Sequence, residues 1–225
     1  MKKKIIIITI LGALLSIMIY FYTRNDEIII VSLGDGLSLG MTPYNIEGYS
    51  FNDYLQEDYK KTHKLKKYIY EFAGANKTIK ELIYEIKENK TISIKNENIE
   101  IQRAINEADI LTIAIGLDEL ANKKITNQIK TEYQSDLEEL LSMIKMLNHN
   151  KVIVIGIYKT KHQDELVINK VNAIIRDISL SNGFKFIDIS EISNHDEYFL
   201  TATSHYINYE GHKNIYQKIK TVLNE

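Results

Sequence analysis

The chain has 225 residues, 44% of them hydrophobic and 26% charged, a composition that fits one globular domain and excludes a disordered or low-complexity protein. A formal net charge of −2 and a pI near 6.3 leave no basic surplus to neutralise phosphates, so nucleic acid is excluded as an expected partner. Cysteine is absent, which removes disulfides, thiolate metal sites, a cysteine nucleophile and a lipidated N-terminal cysteine.

Lys2, Lys3 and Lys4 precede an apolar run from Ile5 to Tyr22, interrupted only by Thr9 and Ser16. A run of about 18 residues is long enough to cross a hydrocarbon core as a helix. It ends in Ile-Tyr-Phe-Tyr rather than in small residues, so it reads as an uncleaved signal-anchor and not as a cleaved leader. The lysines on one side, with Tyr20 and Tyr22 at the other interface, predict a single-pass cell-membrane protein with a cytoplasmic N-terminus. Residues 1–25 then form the anchor, and residues 26–225 form one extracytoplasmic domain.

Short β-branched runs follow at Ile28 to Leu33, Tyr68 to Ala73, Ile110 to Ile115, Val152 to Ile157 and Phe184 to Ile189, each closed by a polar or glycine-bearing break. Between them lie helical periods. Ile79, Leu82, Ile83 and Ile86 are spaced i, i+3, i+4, i+7, and Ile129, Tyr133, Leu137, Leu140, Leu141 and Ile144 continue that period over a longer helix. Asn169 to Ser181 and Asn208 to Leu223 complete the set. Alternating strands and helices predict right-handed crossovers and about five parallel strands covered on both faces, with the site at the carboxyl ends of the strands.

The first strand runs into Leu33-Gly34-Asp35-Gly36-Leu37-Ser38-Leu39-Gly40, which resembles the G-D-S-L signature of the SGNH/GDSL hydrolases. Phe72-Ala73-Gly74-Ala75-Asn76-Lys77-Thr78 resembles the second signature. Ile113-Ala114-Ile115-Gly116-Leu117-Asp118-Glu119-Leu120 resembles the third, G-x-N-D. His205-Tyr206-Ile207-Asn208-Tyr209-Glu210-Gly211-His212 resembles the last, D-x-x-H-P-N-x-x-G. The resemblance implies a flavodoxin-like three-layer α/β/α SGNH fold and ester hydrolysis as the ancestral reaction; no cofactor is expected, and no metal, because the carboxylates that could hold a hard divalent cation are few and none shows a characteristic ligand spacing. It also implies oxyanion-hole positions at Gly36, Gly74, Asn76 and Asp118.

Family chemistry needs a serine nucleophile, a histidine base held by an aspartate, and backbone and asparagine donors for the oxyanion. Here Gly36 stands at the serine position and Asp118 at the asparagine position. Aligning Asn208 and Gly211 places Tyr206 on the histidine and Thr203 on the aspartate; taking His205 as the base instead places Ala202 on the aspartate. Losing one oxyanion donor typically costs about 3 kcal/mol, and losing the nucleophile costs on the order of a million-fold in rate. The expected protein is therefore a catalytically degenerate member that binds a cell-envelope glycan, lipid or protein.

Two rival readings remain open. In one, Ser38 acts as a displaced nucleophile with His205, making an active esterase or deacetylase on acylated envelope molecules; otherwise its hydroxyl satisfies the turn. In the other, the chain is a structural partner of a membrane protein. Asp35 is expected to bond loop N–H groups, and Asp35, Asp118 and Glu119 together predict an acidic cleft. His205 is expected to face that cleft and His212 the helix surface. Tyr44, Tyr49 and Tyr54 are placed to line a groove.

Overall fold

The computed structural model describes residues 27–121, 123–160, 163–201 and 204–224. The apolar run from Ile5 to Tyr22 lies outside them, and among the described residues no helix is long and apolar enough to cross a membrane.

Strand β1 (Ile28–Gly34) is flanked by β2 (Leu65–Ile69) and β5 (Ile110–Ala114); β6 (Lys151–Ile155) and β7 (Lys185–Ile187) extend the sheet on one side. The order β2-β1-β5-β6-β7 is parallel throughout, with Val31 opposite Leu111 and Ile113 opposite Val154. This is the doubly wound arrangement in which strand order reverses beside β1, and the reversal opens a crevice at the carboxyl ends. Every residue of β5 is buried, as a strand covered on both faces requires.

Helices α1 (Gly36–Leu39), α2 (Phe51–Lys61), α3 (Ile79–Lys87), α4 (Ile101–Glu107), α5 (Leu117–Leu120), α6 (Asn127–Leu147), α7 (Glu165–Ser181) and α8 (Tyr209–Leu223) fill the connections. Helix α2 packs on α8, while α3, α6 and α7 pack in series, giving a helical layer on each face. Ile79, Leu82, Ile83 and Ile86 of α3 are buried, and Thr78 and Glu81 form a capping box at its start. Beneath the site, Asn52 of α2 donates to Ser32 Oγ at 2.7 Å and accepts from Thr112 Oγ1 at 2.7 Å, tying α2 to the two central strands through a satisfied buried network.

Several boundaries differ from the periodicity. The second strand lies at 65–69 rather than 68–73, because the chain leaves the sheet in a turn where Ala73 N–H donates to Tyr70 O. Helix α7 starts at Glu165, four residues early, because Asp164 accepts from Leu166 N–H as its N-cap. Helix α2 and the antiparallel hairpin of β3 (Thr91–Ile94) and β4 (Glu97–Glu100) were not anticipated. The hairpin turns through Lys95 and Asn96, both at positive φ, and its short strands carry few apolar residues.

Candidate functional site

Strand β1 ends at Gly34, whose φ of +137° and closeness to the Ala114 carbonyl leave no room for a Cβ. The chain then turns through Asp35, which is fully buried. Its Oδ1 accepts from Leu37 N–H at 3.0 Å, and its Oδ2 accepts from Gly116 N–H at 2.9 Å and Asp118 N–H at 3.2 Å. Asp35 therefore laces the turn after β1 to the turn after β5, as expected of it. Burial, reinforced by the neighbouring Asp118, pushes its carboxyl far above the usual range.

Asp118 occupies the centre of the site. Its Oδ2 accepts from Gly36 N–H at 2.9 Å and from Asn76 N–H at 2.7 Å. These two amides converge as an anion cradle, and the protein's own carboxylate sits in it. Asp118 Oδ1 lies 3.6 Å from His205 Nε2 and has no hydrogen-bond partner; the side chain is 1% exposed. Burial opposes ionisation of Asp118. Its interactions with His205, Gly36 N–H, Tyr206 and Asn76 N–H outweigh that and hold its carboxyl below the usual range.

Gly36 is glycine for want of space. A Cβ built there would lie 2.7 Å from Cε1 and Cζ of Tyr206, with the phenol oxygen nearer still. Tyr206 is 3% exposed, so its ring fills the volume into which a side chain at position 36 would project. The His205 ring lies against Tyr206, tilted by 42° with centroids 3.9 Å apart, and the His205 backbone carbonyl accepts from the buried Tyr158 hydroxyl at 2.7 Å. Of the two aligned candidates, Tyr206 stands over Gly36 and His205 stands beside Asp118. Ala202 and Thr203, the two alternatives for the orienting acid, lie outside the described residues.

The remaining candidates are committed elsewhere. Ser38 is 1% exposed and its hydroxyl faces two carbonyls, Leu33 O at 2.8 Å and Ala114 O at 3.2 Å, rather than His205. Gly74 N–H donates to Gly34 O at 3.0 Å, so Asn76, at φ +60°, supplies the cradle amide from the second signature. Glu119 does not add to an acidic cleft, because its Oε2 accepts from Ile79 N–H at 3.3 Å at the start of α3. His212 is not on the helix surface; it is 1% exposed and stacks on Phe51. Tyr49 and Tyr54 pack edge to face at 4.7 Å, and Tyr54 stacks on Tyr216, so their rings cover one another along the seam of α2 and α8.

Sequence reasoning missed Tyr158 and gave Tyr133 no role beyond its place in a helical period. Tyr133 donates to Ile115 O at 3.2 Å and covers Gly116, where a Cβ would meet its hydroxyl at 2.5 Å. Next to the filled centre, an open cleft of 470 Å³ is lined by Lys159, Thr160, Asp196, Phe199, Thr201 and Ser204, among others. Phe199 meets the Tyr158 ring edge to face at 5.8 Å, which joins this cleft to the His205 segment. Among the described residues no group of three or more His, Asp or Glu side chains is placed to hold a metal ion.

Chemically, the centre has no attacking group at position 36, and the two cradle amides that could stabilise an oxyanion are bonded to a carboxylate. No family model matches the chain, and no curated protein matches its sequence. Solved structures do match. A lipase/acylhydrolase from Enterococcus faecalis superposes with a TM-score of 0.64 at 13% identity, covering 87% of this chain and 94% of its own. A psychrotrophic esterase from Pseudoalteromonas sp. gives 0.63 at 14%, covering 88% and 100%, and a phospholipase A1 from Streptomyces albidoflavus gives 0.59 at 10%, covering 87% and 99%. With the strand order and the glycine-bearing turns after β1 and β5, these likenesses establish that the described residues have the fold of the SGNH/GDSL lipases and acylhydrolases.

Proposed function

We propose that the protein is a membrane-anchored, extracytoplasmic SGNH-like domain that no longer hydrolyses esters by the serine route and instead binds a ligand of the cell envelope. The observation that carries this reading is the double occupation of the centre: Tyr206 fills the side-chain space at Gly36, and Asp118 fills the amide cradle of Gly36 and Asn76. A substrate carbonyl would have to displace a buried, ionised carboxylate to reach those amides, and it would meet no nucleophile there. The Ser38 hydroxyl supports the same reading, since a general base must approach a nucleophile to within about 3.2 Å or through one water, and its partners are two carbonyls. The open cleft beside Tyr158 and Phe199 favours a binding role over a purely structural one. A glycan, a lipid headgroup or a protein segment of the envelope is the ligand class.

The test is hydrolysis of short-chain acyl esters by the full chain in detergent, beside Ser38→Ala. The expected result is a rate equal to that of buffer for both. Activity in the parent that disappears in Ser38→Ala overturns the proposal and establishes a displaced nucleophile.

A further inference from the structure

The end of the domain opposite the site carries a second feature. Parallel strands place all their amino ends on one face, and the helices that precede them deliver their C-termini to that same face. The junction from α2 to β2 reads Lys60-Lys61-Thr62-His63-Lys64 and is exposed throughout. Lys151 opens β6, Lys185 opens β7 and Lys220 lies in the last turn of α8; all three are exposed. Of the carboxylates nearby, Asp58 is engaged with Lys220 and Tyr216, Glu57 with Lys61, Asp109 with Ile29 N–H, and Glu107 with Arg103 at 3.6 Å, while Glu27 is exposed beside the start of β1. A cleft of 370 Å³ opens between α2 and α8 on this face, with Leu55 and Leu223 in its lining and Lys61, Lys64 and Lys220 around them.

The chain enters the fold here as well. Ile28 N–H donates to Lys64 O at 2.7 Å, so β1 begins within the lysine cluster. Only residues 23–27 separate Tyr22, the end of the apolar run, from Ile28. Five residues reach at most about 18 Å when fully extended. A bilayer holding that run is thus within reach of the lysines.

We propose that the face at the amino ends of the strands is a docking surface for the anionic phospholipid bilayer in which the chain is anchored. It rests on the anchored reading above. The lysines approach lipid phosphates while the apolar wall between α2 and α8 accommodates the interface, and the cleft beside Tyr158 is directed away from the membrane.

The experiment reconstitutes the full chain in vesicles of phosphatidylcholine, or of phosphatidylcholine mixed with phosphatidylglycerol, and maps lysine acylation by mass spectrometry. Docking predicts several-fold protection of Lys60, Lys61, Lys64, Lys151 and Lys220 in the anionic vesicles, with Lys124 and Lys213 labelled equally in both. Protection should fade as salt rises from about 0.1 M to 1 M, because the screening length falls from about 10 Å to about 3 Å. Lys60→Glu with Lys64→Glu, both exposed, should abolish protection at Lys151 and Lys220. Equal labelling of the native chain in the two lipids overturns docking. Alkaline extraction of the same vesicles reads the anchor separately: a retained but unprotected chain loses only the docking, whereas a released but protected one loses only the anchor.

Discussion

Tyr206 and Gly36 are sterically exclusive: the phenol ring lies where any side chain at position 36 would begin. Each residue therefore explains the other, and a serine placed at position 36 would meet the Tyr206 ring. Gly36→Ser should destabilise the domain by about 1–3 kcal/mol through overpacking and remain silent toward esters. In a Tyr206→Ala background the same serine should cost less. A double-mutant cycle by urea unfolding should give a coupling on the order of 1–3 kcal/mol, and a coupling near zero would show that the ring moves freely aside.

Against its burial, Asp118 is held ionised by His205, Tyr206 and the two cradle amides, so its folded pKa lies below its unfolded value, near 3.9 for an ordinary aspartate. The sign follows from linkage. Its contribution is complete above the unfolded pKa and is lost as pH falls through the folded pKa. Asp118→Asn should therefore lower stability at pH 7, by about 1–3 kcal/mol, and flatten the acid side of the stability profile. Urea midpoints between pH 3 and pH 7 check this; an unchanged acid slope would mean that the carboxylate is not held in the cradle in solution.

His212 has the opposite charge logic. Burial lowers its pKa to about 4, with the Met41 backbone opposing, while the unfolded chain protonates near 6.5. The unfolded state thus binds the proton first, and stability drains as pH falls from about 6.5 toward about 4, by up to about 3 kcal/mol. His212→Phe, which keeps a ring against Phe51, should reduce the loss between pH 7 and pH 5 relative to the parent. The difference between the two profiles isolates this residue from the carboxylates.

Ser38 is a tie between two carbonyls. Ser38→Ala removes a buried donor and leaves Leu33 O and Ala114 O without it, so about 1–3 kcal/mol of stability should be lost. Thermal unfolding measures that loss. A variant as stable as the parent would show that the hydroxyl is not engaged as the structure has it.

Much of the architecture is legible locally. Ile28 to Leu33 and Ile110 to Ile115 are β-branched runs that only a doubly covered strand can bury, and the period of Ile79, Leu82, Ile83 and Ile86 matches the face that α3 turns inward. The hairpin at 91–100 escaped because Thr91–Ile94 and Glu97–Glu100 bury little and resemble a polar connection. His212 was misplaced because a helix's polar face cannot be assigned without knowing that Phe51 of α2 packs there.

By itself the sequence determined the succession of the five sheet strands and of helices α3, α6, α7 and α8, the glycine at position 36 and the departures from the hydrolase signatures, because these depend on residue identity and short-range period. Only the tertiary structure decided what those departures do. The Asp118 carboxylate bonds amides 82 and 42 residues away, and the Tyr206 ring closes over a turn at the far end of the chain. Such contacts are made by loops that the sheet brings together at the carboxyl ends of its strands, and no local pattern encodes which side chain fills the space between them.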